Sequence, residues 1–108
     1  MPVRRVEFRE LARGFLDRLR EADQARAVQI EHAIEYWLLL EADRLAAVGS
    51  TESAMGPRLG GGRQLWIATP PVGRGTIARV LWETGEIEIF VWQISLVDDD
   101  ILFGDEPE

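Results

Sequence analysis

The sequence predicts an α+β domain: an N-terminal strand, an antiparallel two-helix hairpin, and a mainly antiparallel sheet that closes in a three-stranded C-terminal meander. Three observations carry this. Residues 9–48 repeat their apolar side chains with the period of a helix, residues 63–94 hold three apolar runs cut by turn residues, and a polar loop separates the two stretches. Alternation and helical period are the signals that distinguish the two kinds of element. With 108 residues and 46% hydrophobic content, the chain suffices for one domain with a modest core.

In chain order, Val3 to Phe8 reads as a short strand, with Val6 and Phe8 facing one way and Arg5 and Glu7 the other. From Arg9 the period changes. Phe8, Leu11, Ala12, Phe15, Leu16 and Leu19 follow the spacing of an amphipathic helix. Gly14 weakens that helix by about 1 kcal/mol relative to alanine, which suggests a close backbone approach there. Asp23 is placed to cap a second helix from Gln24 to Val48. Its buried stripe is Ala27, Ile30, Ile34, Trp37, Leu38 and Leu45, broadened by Tyr36, Leu39 and Leu40. Gly49 ends it. The two helices have few residues between them and form an antiparallel hairpin on one face of the sheet. Ser50 to Arg58 is a polar loop broken by Gly56-Pro57.

The meander follows. Gly60-Gly61-Gly62 marks a loop with close backbone approach, because no helix follows it to make a phosphate cradle. The strands are Arg63–Thr69, Thr76–Trp82 and Glu86–Ile94, with Pro70-Pro71 and the loop Val72-Gly73-Arg74-Gly75 between the first two. Thr84-Gly85 supplies the hairpin turn between the last two. Three of the four tryptophans fall here, so the sheet provides much of the core.

Composition excludes several classes. There is no cysteine, hence no disulfide framework and no thiolate metal site. The N-terminus lacks the apolar stretch of a signal peptide, and no run approaches the roughly 20 residues that span a bilayer. The expectation is a soluble cytoplasmic protein with no membrane partner and no cofactor. The net charge is −7, but Asp98, Asp99, Asp100, Asp105, Glu106 and Glu108 lie at the end of the chain. A near-neutral domain over residues 1–97 is thus followed by an acidic tail over residues 98–108. Ile101, Leu102 and Phe103 interrupt that tail with an apolar triplet suited to docking on a partner or on the protein's own surface, where the acids are expected to lie over the arginines. All 12 basic residues are arginine, a type suited to phosphate and guanine recognition.

The order βααβββ, with Val6-Glu7-Phe8 leading into Glu10-Leu11, resembles the RelE/ParE superfamily of bacterial toxins. The likeness is to its phage-derived, HigB-like branch. Leu59-Gly60-Gly61-Gly62-Arg63-Gln64-Leu65-Trp66 resembles the family's glycine-rich lead into a strand, and Ala78-Arg79-Val80-Leu81-Trp82 its arginine-bearing strand. The resemblance implies the toxin, or a phage-derived homologue, of a type II toxin–antitoxin system, with a cognate antitoxin as partner. It implies either a ribosome-dependent mRNA endoribonuclease that inhibits translation, or a non-catalytic module. The module would be a DNA gyrase inhibitor of ParE type or an inactive homologue that only binds an antitoxin. The family's basic C-terminal end is missing here, and Thr69 stands near a place often held by arginine.

Cleavage at an RNA 2′-OH needs a base, an acid and cations around the phosphate. The only histidine, His32, and the only tyrosine, Tyr36, both fall on the second helix, where surface and packing roles suit them. The candidate site residues are therefore Arg79, Arg63 and Arg74. Arg79 has Ile77 and Leu81 on its own face, with Glu86 or Glu88 as possible partners across the hairpin.

Overall fold

The computed structural model describes residues 4–98. Two helices pack on one face of a six-stranded mixed sheet. The elements are β1 (Arg5–Phe8), α1 (Glu10–Ala22), α2 (Gln24–Val48), β2 (Ala54–Arg58), a 3₁₀ turn (Gly60–Gly62), β3 (Gln64–Ala68), β4 (Pro71–Gly73), β5 (Thr76–Thr84) and β6 (Glu88–Asp98). The strand order is β1-β6-β5-β3-β2, with β4 beside β5. Among the described strands only β1 runs parallel to its neighbour, Val6 lying opposite Ile89 and Phe8 opposite Val91. The first strand thus pairs with the last, as the long helical insertion permits.

The core forms where the two periodicities meet. Leu16 of α1 and Ile30, Ile34 and Leu38 of α2 are fully buried against Ala78, Val80, Trp82, Ile89, Val91 and Ile94 of the sheet. Phe15 and Trp37 pack on this cluster while keeping an exposed edge. Asp23 caps α2 by accepting from the Arg26 amide at 3.1 Å, and Gly49 closes it with a φ of 75°. A buried polar cluster holds the far half of α2 to the sheet. Glu41 accepts from the Thr51 hydroxyl, from the Ser53 amide at 3.1 Å and from the Ser53 hydroxyl at 3.0 Å, and Trp82 Nε1 donates to Ser53 Oγ at 3.1 Å.

Several local expectations are corrected. Leu11 is 68% exposed, because α1 seats Ala12 and Leu16 inward and leaves Leu11 on the outer side. Tyr36 and Leu40 also face outward, whereas Leu39 packs against the core. The stretch from Ser50 to Arg58 is not all loop. Its second half is β2, whose Gly56-Pro57 pair is accommodated at a sheet edge beside a register shift. Gln64 Nε2 donates to the Gly56 carbonyl at 2.8 Å and ties that irregular strand to β3.

Part of the segment after Ala68 is also paired, as β4. The β5–β6 reversal lies beyond Thr84, which still pairs with Ile89, and the Gly85 amide donates to the Glu88 carbonyl at 2.8 Å. At Gly61 and Gly62 the φ values are 76° and 79°, with open space where a Cβ would stand. Backbone conformation explains these glycines, not close approach. Gly14 meets only the tip of Arg18 at 3.4 Å, so no neighbouring backbone requires it.

Candidate functional site

The helices cover one face of the sheet, and among the described residues no helix covers the other, the open face. Side chains alternate along β5: Ala78, Val80 and Trp82 enter the core, so Ile77, Arg79, Leu81 and Glu83 stand on the open face. Across β5 the open face continues through Gln93 and Ser95 of β6 and Ile67 of β3, which lie opposite Leu81, Arg79 and Leu81 respectively. A bulge in β6 sets the other end. Leu81 pairs with Gln93 but Trp82 with Val91, so Trp92 is the extra residue. Its indole Nε1 donates to Glu83 Oε1 at 3.1 Å.

Two of the three candidate arginines share this face. Arg63 clamps Glu83 with two 2.7 Å bonds, from Nε to Oε2 and from Nη2 to Oε1. This is the paired fork that suits guanidinium and carboxylate. The hydrogen bonds from Arg63 hold the Glu83 carboxyl below the usual glutamate range, against the opposing push of burial and with help from Trp92. The same bond raises the Arg63 guanidinium. Next to them Arg9 lies over the rings of Phe90 and Trp92, at 5.3 and 5.2 Å from their centres. Arg9, Phe90, Trp92, Glu83 and Arg63 thus form one connected strip. Sequence reasoning found Arg63 but missed Arg9, Glu83 and Trp92, whose association depends on strand register and on the bulge.

Arg79 stands four residues along β5 from Glu83, roughly 13 Å at ordinary strand rise. It is exposed and lies opposite Ser95, while Glu88 pairs with Arg5 at 2.9 Å. Among the described residues no acid forms an ion pair with Arg79. Arg79 lines a cleft of ≈310 Å³ with Pro57, Ile67, Leu81, Gln93 and Ser95. Arg74 is elsewhere. It sits in the turn between β4 and β5, on a separate depression with Asp23, Arg26 and Gln29 at the start of α2. His32 and Tyr36 are exposed on α2, across the domain from the open face. The expected overlay of the acidic tail on the arginines falls on residues outside those described, apart from the backbone of Asp98.

Among the described residues no cluster of three or more histidine or carboxylate side chains is placed to hold a metal ion. None of the described helices is long and apolar enough to cross a membrane. Comparison with protein-family models, with curated proteins and with solved structures gives no match to this chain.

Proposed function

We propose that this chain is a non-catalytic binding module of the RelE/ParE kind, the toxin or a phage-derived homologue of a toxin–antitoxin pair, which engages its partner through the open sheet face. The observation that carries this reading is the exposed guanidinium of Arg79, which pairs with no acid among the described residues, on a half-apolar face that neither described helix covers. The nuclease alternative requires a base and an acid beside the phosphate. Of the carboxylates on this face, Glu83 is committed to Arg63 and Trp92 and is a weakened base with its depressed pKa, and Glu7 and Glu88 are paired with Arg9 and Arg5. The only histidine and the only tyrosine of the chain project from the far side of α2.

Inducible expression in a bacterial host, with transcript ends mapped, tests the reading. Transcripts are expected to remain intact, and the protein encoded by the neighbouring gene is expected to co-purify with the chain. Arg79→Ala, checked for folding by circular dichroism, should weaken that complex. Ribosome-dependent cleavage of messages that disappears in Arg79→Ala would overturn the reading in favour of an mRNA endoribonuclease. DNA damage and filamentation with messages intact would keep the module reading and identify gyrase as the target.

A further inference from the structure

We infer that the Arg79 cleft seats a short segment of a partner protein in which a large apolar side chain is followed by a carboxylate. The inference rests on the binding-module reading and names the chemistry of what is bound. The cleft has two unlike sides. Ile67 and Leu81, both half-buried, make an apolar floor, and Pro57 of the irregular edge strand borders it. Arg79, Gln93 and Ser95 are exposed along the polar side. A volume of ≈310 Å³ accommodates one large apolar side chain.

The polar side selects the charge. On this face Arg5 is paired with Glu88, Arg9 with Glu7 and Arg63 with Glu83. Arg79 has no such acid among the described residues, so an incoming carboxylate meets no described ion pair at this guanidinium. The planar fork of arginine fits a carboxylate with two bonds, and Gln93 and Ser95 bring hydrogen-bonding groups for a peptide backbone. A polyanion is the poorer fit. Nucleic-acid binding draws on several cations at once, whereas Arg5, Arg9 and Arg63 are compensated by acids and the chain carries a net charge of −7.

Fluorescence anisotropy on the full chain tests this with three labelled probes. The first is a pool of end-blocked pentapeptides, glycine, two residues drawn from leucine, isoleucine, valine and phenylalanine, glutamate, glycine. The second is the same pool with glutamine for glutamate, and the third is a 12-nucleotide oligouridine. The acidic pool is expected to bind at least about tenfold tighter than the glutamine pool, the value of one charge-assisted contact. That preference should vanish in Arg79→Gln, and its salt dependence should be shallow. Leu81→Ser should weaken both peptide pools.

Equal affinity for the two pools, no binding by the acidic pool at millimolar concentration, or a preference that persists in Arg79→Gln would each overturn the inference. So would tighter binding of oligouridine with a steep salt dependence. If the neighbouring gene product still co-purifies with the Arg79→Gln protein undiminished, the module reading survives and the cleft assignment falls.

Discussion

At Glu83 one carboxylate gathers three elements. Arg63 approaches from the start of β3 and Trp92 from the bulge of β6, while Glu83 itself belongs to β5. The interaction is stronger than an ordinary surface pair because Glu83 is nearly buried and the guanidinium is held by two bonds, although Arg63 remains half-exposed. Its pH signature follows from the sign of the shift. The folded Glu83 pKa lies below the unfolded value of about 4.3, so its stabilisation is complete above that value and is lost as the pH falls through the folded pKa. Glu83→Gln should therefore lower the melting temperature at pH 7 and flatten its decline in acid, as calorimetry across pH 2.5–7 will show. An unchanged acid profile would mean that the pair contributes nothing. Arg63 was visible in the sequence as a strand-leading arginine. Glu83 was not, because a pair 20 residues apart is chosen by register, and register is absent from a linear pattern.

Among elements, legibility followed the strength of the period. Both helices and the β5–β6 hairpin stood out because their apolar spacing is repeated over several turns or pleats, and Asp23 and Gly49 acted as the punctuation they resemble. β2 and β4 were hidden for a physical reason: each contains proline at a sheet margin and takes its pairing from a neighbour, not from its own alternation. Leu11 misled because a helix of 13 residues has room for an apolar side chain on its outer flank. Gly14 was over-read in the same helix. Only the flexible end of Arg18 lies near its missing Cβ, at 3.4 Å, and its φ is not positive. Gly14→Ala should thus stabilise the domain by about 0.5–1 kcal/mol, through helix propensity and a less flexible unfolded chain. Urea denaturation gives the answer directly, and a loss of stability would show that the position is tighter than its contacts indicate.

For the whole molecule, the consequence of two helices on one face is an unequal sheet. The covered face contains the fully buried side chains, and the open face contains half-buried apolar groups around the cleft. Stability and recognition should accordingly separate by face. Ile34 is fully buried between α2 and the sheet, so Ile34→Ala should cost about 2–5 kcal/mol, the transfer of the lost atoms plus the cavity they leave. Leu81 lies opposite Gln93 and Ile67 on the open side and is half-buried, so Leu81→Ala should cost less than about 1.5 kcal/mol, because solvent fills the space and no closed cavity forms. Partner or acidic-peptide binding should show the reverse order, with Leu81→Ala weakening it and Ile34→Ala leaving it intact wherever the protein remains folded. Paired denaturation and binding measurements on the two variants decide the matter. Equal stability losses would mean that the open face belongs to the core after all, and the asymmetry that makes it available for recognition would be gone.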